Sequence, residues 1–153
     1  MMDDAEAERQ QARIDAFAEH WVHVLGLAHW RIRFIYEREY ILDDDKNPDD
    51  KALARCTAAW EYMDALIVWN LTLVKTTPDD QLEMIVCHEF MHIMLSEMSR
   101  RRKRTEAERL HEEHTATLLA KAFIWVRNAT RDADSADDEP KPPSFTDISV
   151  GED

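Results

Sequence analysis

Apolar residues recur at helical spacing in the first part of this chain. Ile14, Phe17, Ala18, Trp21, Val22 and Leu25 fall on one side of a helix predicted over residues 5 to 26, with acids, Gln and Arg opposite. Gly26 is placed to end it. The period then drops to that of a strand: Trp30 to Tyr36 alternates as a half-buried strand does. Two more strands are predicted, from about Ala54 to Tyr62 and over Leu66 to Leu71, with Met63-Asp64-Ala65 turning between them. Helical character returns at Thr77-Pro78-Asp79-Asp80, where a proline at the entry and acids in the first turn mark a start. That helix should reach about Ser99, and a last one should run from about Glu106 to Arg127. Helix, three strands, helix, helix is a compact α+β layout, and no internal repeat interrupts it.

The second helix carries the most informative segment, Met84 to Met94, because it holds His88-Glu89-Phe90-Met91-His92. One helical turn separates the two histidines, so both imidazoles project from one face and can share one zinc ion. Glu89 follows the first ligand, where a carboxylate can take a proton from a water on the metal. The bland alternative is a buried helix with two satisfied histidines and a glutamate facing solvent. It accounts for the apolar neighbours but not for a carboxylate inside an otherwise uncharged stretch, since a buried unpaired charge is costly.

A catalytic zinc needs a third protein ligand and an open position. No histidine follows at the short spacing of the metzincin motif, so the search moves to the last helix and His111, Glu112, Glu113 and His114. Periodicity does not choose among them. Glu112 lies near the stripe Ala116, Leu119, Phe123, and Glu113 near the stripe Leu110, Thr117, Ala120, Ile124.

Here the chain resembles a known family. Glu113-x-x-Ala116-x-x-Leu119-Ala120-x-x-Phe123 is similar to the ExxAxxFAxxLL pattern of small, often phage-associated metallopeptidases of the ImmA/IrrE type. The layout is also similar to minimal gluzincin and SprT-like domains, with a strand pair before the metal helix. The resemblance covers roughly residues 60 to 125. It implies a zincin-like minimal metallopeptidase: an N-terminal helix, a small three-stranded sheet, an HExxH helix and a C-terminal ligand helix. It further implies one Zn2+ held by His88, His92 and Glu113, with Glu89 as general base and a protein or peptide as substrate. In zincin folds an edge strand before the metal helix commonly holds the substrate, and Ile67 to Leu71 is the natural candidate. His111 or His114 as third ligand would instead make a three-histidine, SprT-like site. Two departures stand out. Thr117 occupies the position where many gluzincins carry an Asp or Asn that bonds a ligand histidine, and Trp125-Val126-Arg127 replaces the methionine-proline ending.

Composition narrows the remainder. The chain has 153 residues, room for one domain over residues 1–130 and an acidic, Ser- and Pro-rich tail over 131–153 that its composition predicts to be disordered. Net charge is −13, of which the tail's eight acids and two bases contribute −6. Such a surface does not attract nucleic acid or anionic membranes. The run Arg100-Arg101-Arg102-Lys103-Arg104 reads as a solvated helix end rather than a nucleic-acid patch. Asp43 to Asp50 lacks the ligand spacing of a calcium loop. No apolar run is long enough to span a bilayer, the N-terminus is unlike a signal peptide, and Cys56 and Cys87 give no disulfide framework, so a cytoplasmic protein is expected. Cys87 reads as a small core residue and the His20/His23 pair as surface. Tyr36, Tyr40, Tyr62, His111 and His114 are candidate oxyanion donors. The alternative function is a zinc-containing protein-binding module of the same fold without peptidase activity. The intact Glu89 speaks against it.

Overall fold

The computed structural model describes residues 2–38, 52–96, 98 and 105–136. Helix α1 spans Asp4–Val24. Asp3 caps it, its carboxylate accepting from the Glu6 N–H at 2.8 Å, and Ala7, Ile14, Ala18 and Trp21 form its buried stripe. Gly26 follows at φ +67°, the left-handed conformation that reverses the chain at a helix end, and a single turn of 3₁₀ helix at Leu27–His29 leads into the sheet.

The sheet has three strands, β1 (Arg31–Glu37), β2 (Ala54–Ala59) and β3 (Asp64–Asn70), in the order β1-β3-β2. β1 runs parallel to β3 and β2 antiparallel to it. The β2–β3 turn comes earlier than the alternation implied: β2 stops at Ala59, Trp60–Tyr62 make a 3₁₀ turn, and Met63 takes φ +47° so that Asp64 already starts β3. Register aligns Phe34, Ile67 and Cys56 in one row and Tyr36, Trp69 and Ala54 in another, on the face where Ile67 and Trp69 are fully buried. On the opposite face Asp64 accepts from Arg31 at 2.7 Å and from Arg33 at 2.9 Å.

One expectation is corrected here. Ile67 to Leu71 is not an edge: β3 is the central strand, paired on both sides, and Leu71 begins a short helix. Chain order puts β3 last before the helix that carries His88 and His92, but β1 occupies its far side, so among the described residues the unpaired edge near that helix belongs to β2.

Helix α2 (Leu71–Val74) was not predicted; the Asn70 side chain caps it by accepting from the Thr72 and Leu73 N–H groups at 3.1 and 3.3 Å. Arg13 of α1 then fixes the approach to the next helix. Its guanidinium donates to the Val74 and Thr77 carbonyls at 3.2 and 2.8 Å and to Asp79 at 2.5 and 2.9 Å. Helix α3 (Asp79–Leu95) is the centre of the molecule, buried through Leu82, Val86, Cys87, Phe90, Met91 and Ile93 against α1, β2 and the last helix. Helix α4 (Glu106–Ala136) runs past Arg127, because no Gly or Pro breaks it there and Ala and Arg favour continuing. Of the tail predicted over 131–153, residues 137–153 lie outside the described residues, as do the basic run at 100–104 and the acidic loop at 43–50. Among the described residues no helix is long and apolar enough to cross a membrane.

A buried ion pair ties the far end of α4 to the body. Glu83 of α3, 6% exposed, pairs with Arg127 and accepts from the Trp21 indole N–H at 3.1 Å, while the Arg127 guanidinium lies 5.7 Å from the centre of a Trp21 ring. Removing Glu83 takes the carboxylate from a guanidinium that is only 26% exposed and leaves the fully buried Trp21 indole N–H without its acceptor. Glu83→Ala should therefore lower stability by about 3 kcal/mol, seen as a lower urea midpoint. The double change Glu83→Met with Arg127→Met should recover most of that loss. Equal midpoints for wild type and Glu83→Ala would show the pair to be idle.

Candidate metal centre

Helix α3 presents His88 and His92 on one face, and α4 brings Glu113 opposite them. The two Nε2 atoms stand 3.1 Å apart, with the rings edge to face at 83°. Glu113 straddles them: Oε2 is 3.4 Å from His88 Nε2 and Oε1 is 3.4 Å from His92 Nε2. Donor atoms about 2.1 Å from a tetrahedral ion lie roughly 3.4 Å from one another. The three side chains fit that spacing and could hold a metal ion; they are the one such group among the described residues.

The outer nitrogens are also engaged. Glu112 Oε1 lies 3.2 Å from His92 Nδ1, within reach of a ring N–H there, which would leave Nε2 as the atom to take a metal once it gives up its proton. Thr117 Oγ1 is 3.4 Å from His88 Nδ1, a longer contact from the position where an Asp or Asn was missed in the sequence. Periodicity could not separate Glu112 from Glu113 because the buried face of α4 is broad: Ala116 and Ala120 are both fully buried. In the structure both glutamates reach the histidines, one inward to Nε2 and one to the back of a ring. His111 and His114 are exposed and stand outside the group, as do His20 and His23.

Glu89 is 6% exposed beside this cluster. Burial raises its pKa, His92 and His88 pull it back, Glu113 adds to the rise, and a hydrogen bond from the Cys56 backbone lowers it. Glu113 is held well below the usual carboxylate range by its hydrogen bonds to His88 and His92. For His92, burial disfavours the charged ring, but Glu113, Glu89 and Glu112 outweigh it and raise the pKa to about 9. Cys56, on the strand facing Glu89, has its thiol pKa pushed up by burial and then by Glu89 and Glu112. Cys87 is fully buried, with its thiol raised to about 12 by burial, as fits a core residue.

The cluster opens into a cleft of about 1030 Å³. β2 and the residues before it form one wall, α3 the floor, and α4 the other wall with Glu106, Arg109, Glu113, Thr117 and Lys121. None of the described candidate oxyanion donors lines it. Tyr36 donates to Asp15 of α1, Tyr62 is exposed elsewhere, and His111 and His114 face out; Tyr40 lies outside the described residues. The cationic side chains on the walls are Arg55, Arg109 and Lys121. Sequence reading had no signal for Arg55 or for β2 as a wall, since that contact joins distant segments.

Such a site can gather a divalent cation on two imidazoles and a carboxylate, next to a shielded carboxylate suited to carrying a proton. The chain matches no protein-family model, no curated protein and no solved structure.

Two outcomes follow for metal binding. Glu113→Gln should abolish stoichiometric metal in purified protein, whereas Glu112→Gln should keep it with affinity weakened about 10- to 100-fold; mass-spectrometric metal content and chelator competition separate them. The reverse pattern would exchange the two roles. The second outcome concerns pH. A ligand histidine must be neutral, and His92 holds its proton up to about pH 9. Metal affinity should therefore rise about tenfold per pH unit between pH 7 and pH 9 and level off above. A flat profile in chelator titrations would contradict it.

Proposed function

We propose that this chain is a zinc-dependent peptidase that cuts a protein or peptide substrate at the α3–α4 centre. The observation that carries the reading is the convergence of both Nε2 atoms with the Glu113 carboxylate, with Glu89 buried beside them. The HExxH spacing and the likeness of the α4 pattern to ImmA/IrrE-type and SprT-like zincins support it. The donor set of two imidazoles and one carboxylate suits zinc among first-row ions. Bound there, zinc would supply Lewis acidity that activates water and polarises a carbonyl.

The chain's own residues do the rest. His88, His92 and Glu113 form the ligand set, Glu112 fixes the His92 ring, and Thr117 stands behind His88. Glu89, whose pKa is raised by burial, is a better proton acceptor than a solvated carboxylate. It takes the proton of the attacking water and passes it to the leaving amine. The Cys56 backbone hydrogen bond limits where that carboxylate can swing. A peptide adding as a strand would run along the edge of β2 that is unpaired among the described residues, since β3 is paired on both sides. Two free cysteines in one chain agree with a reducing, cytoplasmic setting.

The test compares wild type with Glu89→Gln, both supplied with zinc. Glu89→Gln should retain the ion yet lose at least about 10³-fold in peptide hydrolysis, because the proton carrier is gone while the ligands are intact. Hydrolysis by Glu89→Gln at the wild-type rate would remove Glu89 from the chemistry. Stoichiometric zinc without hydrolysis by wild type would favour the binding-module reading.

A further inference from the structure

Charged side chains in the cleft can be sorted by what already occupies them. Glu112 and Glu113 are committed to the histidines, and Glu89 stands beside them. Arg109 pairs with Glu106 at 2.5 Å, and Arg55 also has an interaction partner. Lys121 remains. It is exposed, lines the cleft, and makes no ion pair or hydrogen bond with any described residue. In a chain of net charge −13, acids outnumber bases widely, so a cleft-wall lysine with no acid beside it among the described residues is unexpected.

Its position is set by helix periodicity. Lys121 is four residues after Thr117 and eight after Glu113, so the three share one face of α4. Eight residues of helix rise about 12 Å. Helical side chains lean toward the N-terminus, so the lysine stem points back along the cleft toward the metal ligands. With about 3.3 Å per residue of extended chain, the ammonium stands opposite a substrate residue about two or three positions from the bond at the centre.

We infer that Lys121 is a specificity residue that reads a carboxylate on the substrate, either an Asp or Glu side chain or a free chain end. This rests on the peptidase reading. An ammonium on a cleft wall, unpaired among the described residues while the other described charges there are engaged, attracts an anion and disfavours a cation at that subsite. Lys121 does not touch the reacting atoms.

The experiment uses the full chain with zinc supplied and two random synthetic peptide mixtures, one with free and one with amidated C-termini. Cleavage sites are read by mass spectrometry for wild type, Lys121→Arg, Lys121→Met and Lys121→Glu. Wild type and Lys121→Arg should enrich Asp and Glu at one fixed position about fivefold, the ratio typical of an exposed ion pair. Lys121→Met should flatten that preference, and Lys121→Glu should replace it with Lys and Arg. Cutting at a fixed distance from a free chain end, lost on amidation, would identify the carboxylate as the terminus. Cleavage without either preference, or the same profile in Lys121→Glu, overturns the inference and leaves the peptidase reading standing. No cleavage of either mixture by zinc-loaded wild type overturns the peptidase reading itself, and the inference with it.

Discussion

The close lie of α4 against α3 is the constraint on which the site depends. Two histidines sit on one helix and their carboxylate partners on the other, so neither helix holds a site alone. Ala116 and Ala120, fully buried at the contact, are small enough to bring the backbones together. Adjacent residues on a helix face about 100° apart, so putting Glu112 where Glu113 is would take more than a quarter-turn of α4. The pair of Glu83 and Arg127 lies at the opposite end of the same contact and uses Trp21 of α1 as a third anchor. With Glu112 and Glu113 at one end and Arg127 at the other, the rotation of α4 is fixed at two well-separated points.

The histidine pair of the candidate centre was legible in the sequence because its information is local. His88, Glu89 and His92 lie within one and a half turns, and the helix period alone sets their faces. The α4 glutamates were legible as a set but not as individuals. Their roles depend on the angle at which two helices pack, which no single-helix periodicity contains. The resemblance favoured Glu113, and the structure gives it the inward position while placing Glu112 behind His92. Thr117 stands behind His88, while the orienting carboxylate at His92 comes from Glu112, next to Glu113.

Elements were read well wherever period and end signals agreed, as in α1, whose buried stripe and Gly26 both appear in the structure. The misplaced edge strand has a different origin. Alternation identifies a strand but says nothing of its neighbours, and here the first strand lies beside the third. The α2 turn escaped because the apolar run of β3 continues into it, and only the Asn70 cap marks the change. Arg13 and Arg127 show the same limit. Each looks like an ordinary polar-face residue of its helix, and each is engaged by groups more than forty residues away.

Two carboxylates in the centre are driven apart by their surroundings. Glu113, 59% exposed on its side chain, is held as a fixed anion by both imidazoles, while Glu89, nearly enclosed, is pushed toward the protonated form by burial. Neighbouring acids with diverging environments can divide the work of a site, one supplying permanent charge and the other carrying a proton. On the peptidase reading this division follows from the fold. Glu113 rides on the outer helix at the mouth of the cleft, where a ligand carboxylate must stay ionised. Glu89 lies on the central helix beside Cys56 of β2, where its 6% exposure keeps the surrounding dielectric low. On that reading, the same burial that makes Glu89 costly to place is what would equip it to accept a proton, so the cost would be retained where the chemistry uses it.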